Sequence, residues 1–433
     1  MEERITYIKD SEGKEELDLF ELTKVFTNGL VSVDGESVPN LMAGCATGLR
    51  IKGKLNLDKV EKAIQMLFDN IDGMRAVVDR ELEIFRIRES YEYKMEVIVP
   101  EGNSPDEKFE KAKEECNKLV VSENFYDDCA CRFRVYELGQ NEYFLIVATN
   151  HLFGDGQSLM LIVKQMIELY FGIKRKVTIN SKTMMDYYEN WKKVKASAQY
   201  KENNLYWEKE KRGIENLYTF NPPEENNVLS DDMYTLEFDL RKLKNIAKKA
   251  RTTVPNLAMT AYHMGFANVH KTAQSIITVA FANRMEMEYL DTFAPMVKLL
   301  INRVRFTQDM AIKELLRAVM QKTSETIKHS YIAKEYIGCN RYFFSYLPEI
   351  GGFMSVPGYK VEVWVPEIID PSKYRMPFIL CTAVEQNGKL AFQITCNREY
   401  YNKNDILLLR EGISNLVNKL DENENALVGD VLR

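Results

Sequence analysis

Two stretches of this chain run through the same order of patterns, and that repetition narrows the possible folds more than any other feature. "CRFRVYELGQNEYFLIVATN" followed by "SLMLIVKQMIEL" reads as strand, short turn, strand, second turn and apolar helix; "PFILCTAVEQNGKLAFQITCN" followed by "NDILLLREGISNLVNKL" reads the same way. Asn387-Gly388 in the second copy is a strong hairpin signal, because a two-residue turn of this kind needs φ > 0 at both positions. At 433 residues the chain is also long enough for two cores, since single cores rarely grow past about 250–300 residues. The expectation is therefore two α/β lobes of like topology, residues 1–178 forming the first and 179–433 the second. The boundary falls somewhere in 175–230, where "FNPPEENNVLS" (220–230) is the strongest linker signal in the chain.

The remaining patterns fit short alternating elements. "GCATGLRIKG" (44–53) reads as a strand, and "NLDKVEKAIQMLFDNI" (56–71) as a helix with Val60, Ile64, Leu67 and Ile71 on one face. Strands are expected over 73–87 and 93–99, a charged helix over about 105–120, and a helical region bearing Trp191 and Trp207 over 181–212. The second half opens with a strand (233–240), two helical stretches, "LRKLKNIAKKARTT" and "VPNLAMTAYHMGFANVH", and a strand over 275–284.

The two turns that follow the hairpins differ in chemistry. The first, "ATNHLFGDGQS", holds His151 and Asp155 with Gly154 and Gly156 around the aspartate; the second, "CNREYYNK", has no histidine. One histidine-bearing turn in two like lobes points to a single active site between them. A histidine at a strand end is ordinarily structural. Here it sits where a strand feeds a turn and a helix, the kind of place where a rigid scaffold presents a functional side chain. The flanking glycines permit φ > 0 and close backbone approach.

The candidate chemistry narrows by what is missing from the sequence. There is no G-x-S-x-G elbow, no H-E-x-x-H helix and no glycine-rich phosphate loop. The other histidines, at 263, 270 and 329, have no spacing that would build a metal site with His151, so no metal is expected. A histidine without a protein nucleophile suits direct transfer. It takes a proton from an amine, hydroxyl or thiol acceptor while that acceptor attacks an activated acyl group.

Composition describes an ordinary soluble globular protein rather than a nucleic-acid or membrane protein. Hydrophobic residues make up 45% and charged residues 28%, and 58 Lys plus Arg against 64 Asp plus Glu leave a net charge of −6, without the basic field of a nucleic-acid binder. No apolar run reaches the ~18–20 residues of a membrane span, and the start lacks the apolar segment of a secretory signal. The seven cysteines form no CxxC pair, which fits a reducing cytoplasm. The basic runs Arg241–Arg251 and Lys174–Lys176 read as solvated faces, docking of an acidic or phosphate-bearing partner being the alternative.

"NHLFGDG" resembles the HHxxxDG motif of the condensation-domain superfamily, which includes nonribosomal peptide synthetase condensation domains and chloramphenicol acetyltransferase. Its surroundings are similar too: "LRIKGKLNLDKVEKAIQMLFDNIDGMRAVV", "MMDYYENWKK…NNLYWEKEKRG", "ARTTVPNLAMTAYHMGFANVHKTAQSIITVAFANR" and "GKLAFQITCNREYYNKNDILLLREGISNLV". The resemblance implies two chloramphenicol-acetyltransferase-like lobes set as a pseudo-dimer in a V, with a tunnel between them. It makes His151 the catalytic residue and Asp155 a structural partner for an arginine, Arg284 first and Arg75 second. Gly156 becomes the motif glycine, at a helix N-terminus that could stabilise an oxyanion. Phe293, Ser345 and Trp364 become candidate tunnel-lining residues.

Departures from the pattern are explicit. Asn150 stands where the motif has its first histidine, Pro295 replaces a usual asparagine, and the plant-type "DFGWG" is absent. The function implied is transfer of an acyl or aminoacyl group from a carrier-protein or coenzyme A thioester to an amine or hydroxyl. No cofactor is expected beyond the phosphopantetheine or coenzyme A arm of the donor. The expected partners are a carrier protein acting in trans and a small amine or alcohol, in the cytoplasm. The alternatives are an O-acyltransferase using acyl-coenzyme A on a free alcohol, or a non-catalytic member that binds carrier proteins.

Overall fold

The computed structural model describes residues 5–21, 23, 30–33, 36–39, 44–79, 81–120, 128–214, 235–284, 286–333, 342–348, 358–364, 379–396, 400–423 and 425–432. The linker signal at 220–230, Cys339 and part of the "CNREYYNK" turn lie outside them. The chain divides into two compact units. One comprises Met1–Ser197, Ala282–Val297 and Ile350–Ile369; the other comprises Ala198–Phe281, Lys298–Glu349 and Asp370–Arg433.

The first unit is built on a five-stranded sheet in the order Lys360–Trp364, Gly44–Lys52, Glu142–Asn150, Cys131–Gly139, Val97–Ile98. Every pair is antiparallel except the last. The strand Glu142–Asn150 is buried at all its positions, as a strand covered on both faces must be. The helices Leu57–Asn70 and Gly156–Tyr170 cover one face through Ile64, Leu67, Leu159, Ile162 and Val163, and Pro105–Val120 covers the other around Phe144, Tyr136 and Cys116. Its hairpin turns on Gln140 (φ 55°) and Asn141 (φ 59°), both left-handed. The strand expected over 73–87 resolves into a short helical turn, Asp72–Arg75, and two strands, Ala76–Asp79 and Ile84–Ile87; that over 93–99 shrinks to Val97–Ile98.

Lys360–Trp364 joins this sheet along Gly44–Lys52, with Trp364 opposite Gly48. Any side chain at Gly48 would collide with the Phe144 ring and press on Trp364, and the two aromatic rings meet edge-on at 5.4 Å. The absent Cβ is thus what lets an indole lie across the sheet.

The second unit has a six-stranded sheet in the order Thr235–Asp239, Lys389–Cys396, Ile379–Gln386, Tyr342–Leu347, Gln274–Phe281, Lys298–Arg305. Tyr342–Leu347 runs parallel to both neighbours and the other pairs are antiparallel. Asn387 (φ 52°) and Gly388 (φ 74°) form the expected hairpin turn. The helices Val254–His270 and Lys403–Glu422 cross at Gly265 and Gly412, where a Cβ on Gly412 would lie 2.6 Å from the Met264 carbonyl oxygen. Leu240–Lys249 buries Leu240, Leu243, Ile246 and Ala247 and exposes Arg241, Lys242, Lys244, Lys248 and Lys249, an amphipathic surface helix.

Three of the four histidines are in this second unit, each held by a neutral partner: His263 Nδ1 lies 2.9 Å from Ser275 Oγ, His270 Nε2 2.8 Å from Tyr342 Oη, and His329 Nδ1 2.9 Å from Asn203 Oδ1. Among the described residues, no helix is long and apolar enough to cross a membrane.

Candidate active site

The strand Glu142–Asn150 ends in a tight turn that Asn150 organises. Its buried side chain accepts from Leu152 N at 3.0 Å, and its carbonyl accepts from Phe153 N at 2.9 Å and Gly154 N at 3.2 Å. Leu152 and Phe153 enter the core, and His151 is left half-buried at the head of the turn. The two glycines serve different ends. A Cβ on Gly154 would sit 2.9 Å from the Phe293 ring, whereas one on Gly156 would meet nothing within 4 Å. Neither takes a positive φ, so the left-handed backbone expected for this turn is not used; what Gly154 supplies is close approach.

Asp155 caps the helix Gly156–Tyr170 from an extended conformation (φ −132°, ψ 177°). Its Oδ1 accepts from Ser158 N at 2.8 Å and Arg284 Nη2 at 2.9 Å, with Ser158 Oγ also at 2.9 Å. Its Oδ2 accepts from the backbone amides of Met296 at 3.1 Å and Val297 at 3.0 Å. Ser158 Oγ in turn lies 3.0 Å from the Ala294 carbonyl and accepts from Arg284 Nη2 at 2.9 Å, so its single proton serves either Asp155 or Ala294. Both charged side chains are almost fully buried, 4% exposed for Asp155 and 5% for Arg284. A charge pair taken out of water holds only when its remaining lone pairs are satisfied, and here both carboxylate oxygens are.

The turn sets the state of His151. Burial pulls its imidazole below the ordinary histidine value, against the opposing pull of Asp155 and of a hydrogen bond with the Gly154 backbone. A neutral imidazole near pH 7 is a base, not a cation. Cys45, close enough to feel the Asp155 charge, is half-buried, and that desolvation pushes its thiol well up, so it is no thiolate nucleophile.

A profile of the condensation-domain family matches residues 45–337. The chain belongs to the condensation-domain family. As a condensation domain it is 22% identical over 296 residues to surfactin synthase subunit 2 of Bacillus subtilis (strain 168), covering 66% of this chain and 8% of that protein. Bacitracin synthase 1 of Bacillus licheniformis is 21% identical over 297 residues, covering 65% of this chain and 6% of that protein. The chain thus spans under a tenth of the length of these relatives. Among solved structures, the condensation domain of the monacolin K polyketide synthase MokA superposes with a TM-score of 0.71 at 15% identity, covering 96% of this chain and all of that one. The starter condensation domain of rhizomide synthetase RzmA, solved with C8-CoA and Leu-SNAC, gives 0.72 at 13% identity, each chain being 96% covered. The fold is the chloramphenicol-acetyltransferase-like α/β fold of these domains.

In this condensation domain Arg284 meets Asp155, while Arg75 is directed elsewhere: its Nε donates to the Arg88 carbonyl at 2.9 Å and its Nη1 to the carbonyls of Phe68 and Ile71. Phe293 is fully buried and wedged between Gly154 and Gly73. Trp364 lies half-buried on the edge strand of the first unit; Ser345 is half-buried in the second unit, opposite Thr382. Among the described residues, no cluster of His, Cys, Asp or Glu is gathered to hold a metal.

Sequence reasoning missed Ser158, Asn180, Asp72 and the amides of Met296 and Val297. Ser158 carries a legible signal, since a capping aspartate reaches the residue three positions on. The amides carry none, because any residue but proline provides one.

Proposed function

We propose that this condensation domain transfers an acyl or aminoacyl group from a thioester, on a carrier protein or on coenzyme A, to an amine, forming an amide. One observation carries this reading: His151 is held neutral at the head of a turn that Asp155 locks in place, beside a helix N-terminus whose Gly156 leaves open space. The His151 imidazole takes the proton of the acceptor nitrogen as that nitrogen attacks the thioester carbonyl. The C–N bond forms, the C–S bond breaks, and the proton passes to the departing thiolate. The positive end of the Gly156–Tyr170 helix favours the charge that develops on the carbonyl oxygen. Asp155, Ser158 and Arg284 are positioning residues. The phosphopantetheine or coenzyme A arm belongs to the donor, a class supported by the acyl-coenzyme A and aminoacyl thioester held by the rhizomide starter domain.

Thioester turnover tests this. The protein and its His151→Ala variant are given acyl-coenzyme A and acyl-carrier thioesters with amine and alcohol acceptors, and thiol release and product mass are followed. Amide product that falls at least about a hundredfold in the variant is expected for a lost general base. Equal turnover in both proteins removes His151 from the mechanism, and ester product in place of amide reassigns the acceptor.

A further inference from the structure

We propose that Asn180, together with Asp72, is a positioning residue of this site, fixing the segment Asp291–Val297 that in turn holds the Asp155 carboxylate. The inference rests on the acyl-transfer reading for its kinetic readout and on the geometry alone for its structural one.

Asn180 is nearly buried and uses both ends of its amide. Its Oδ1 accepts from Phe293 N at 3.1 Å, its Nδ2 donates to Asp72 Oδ1 at 3.2 Å, and its own backbone N–H donates to the Asp291 carbonyl at 2.8 Å. Asp72 is buried as well. It accepts from Met184 N at 2.9 Å and Met185 N at 3.0 Å, which ties the start of the helix Met184–Lys195 to the same point. Two flanking bonds repeat the attachment, from Thr292 Oγ1 to the Lys182 carbonyl at 2.6 Å and from Ser181 Oγ to Asp291 Oδ1 at 2.7 Å.

At its other end the segment reaches the site. The Phe293 ring fills the gap between Gly73 and Gly154, the Ala294 carbonyl lies 3.0 Å from Ser158 Oγ, and the amides of Met296 and Val297 bind Asp155. The segment therefore runs seven residues from Asp291, held by the Asn180 backbone N–H, to Val297 on the capping carboxylate, with the Asn180 side chain gripping it at Phe293. Its position sets where that carboxylate sits, and hence where the turn presents His151.

Few side chains fit at position 180. The backbone there is left-handed (φ 65°), which asparagine tolerates and most residues do not. Aspartate would offer the acceptor but would set a second carboxylate against Asp72. Glycine keeps the backbone and removes the amide, so it isolates the side chain's contribution.

The test uses the intact chain and two readouts. Asn180→Gly is expected to lower kcat by roughly ten- to a hundredfold with KM little changed, as a loss of positioning does. It is also expected to speed hydrogen exchange at the Met296 and Val297 amides. Asn180→Asp is expected to be worse, because it keeps the acceptor for Phe293 N but turns a carboxylate oxygen toward Asp72 Oδ1 where Nδ2 donated. If Asn180→Gly cannot be purified folded, Thr292→Val severs the neighbouring attachment and is read the same way. Unchanged exchange at Met296 and Val297 overturns the brace, whatever happens to turnover. An Asn180→Asp variant no worse than Asn180→Gly overturns the pairing with Asp72. Faster exchange in a protein whose wild type turns over no thioester keeps the brace and defeats the acyl-transfer reading instead.

Discussion

The two helices that follow the two hairpins, Gly156–Tyr170 and Lys403–Glu422, start in the same way and end up tied to very different things. Asn402 caps the second helix by accepting from Asp405 N at 2.9 Å, and Asp405 answers by accepting from Asn402 N at 3.0 Å. That reciprocal box is closed within four residues and concerns only the helix. Asp155 makes the same local bond to Ser158, but its other lone pairs go to Arg284, Met296 and Val297, more than a hundred residues on. The first cap has become the anchor of a site; the second has stayed a cap. A local motif acquires a distant task when its acceptor keeps lone pairs to spare, and a carboxylate has more of these than an amide oxygen.

The largest expected effect breaks this contrast directly. Asp155→Ala leaves the Arg284 guanidinium buried without its carboxylate and is expected to cost about 3–5 kcal/mol and abolish turnover, whereas Asn402→Ala removes a local cap worth about 1 kcal/mol and leaves turnover intact. Denaturant melts with thioester assays separate the two. Similar losses from both would mean that Asp155 is only a cap.

Within the first turn, the two glycines sharpen the comparison. Gly154→Ala drives a methyl group into the Phe293 ring and is expected to lose about 1–3 kcal/mol. Gly156→Ala points into open space and should leave the midpoint within about 0.5 kcal/mol of the parent. A bulkier Gly156→Leu should also fold but lose turnover, because its side chain occupies the space the substrates need. Wild-type kcat in that variant would place the reaction elsewhere.

The smallest effect is a shift in pH. Below its pKa His151 carries a proton and cannot act as a base, so the rate falls on acidification. Since burial lowers that pKa, the acid limb of kcat/KM is expected below the ordinary histidine value of about 6.5. A limb above that value would mean the Asp155 charge outweighs burial at the imidazole.

Much of this was legible in the residues. Both hairpins and the helices after them follow from alternation and turn chemistry, and the family resemblance put Arg284 ahead of Arg75 as the partner of Asp155. What escaped depends on groups or distances that the sequence does not display. The Met296 and Val297 amides bear no side-chain signature. Asn180 is one polar residue in "VTINSK", with nothing nearby to mark its contacts. Of the two uses that the glycines around Asp155 suggested, left-handed backbone and close approach, only close approach is realised, and the sequence could not show that the ring needing the room comes from residue 293. The helical region 181–212 is two helices with a break at Ala196–Ser197, and that break, lacking proline or glycine, is where the chain first passes from one unit to the other.

The strand Lys360–Trp364 has a consequence in time as well as in space. It closes one edge of the first unit's sheet, yet it leaves the ribosome 163 residues after Ser197 at the earliest, a delay of roughly ten to thirty seconds at about 5–20 residues per second. Throughout that interval the nascent chain holds Gly44–Lys52 as an open edge, able to pair with any other extended segment. Slowing synthesis across residues 198–359 therefore lengthens the time for which that edge stands open.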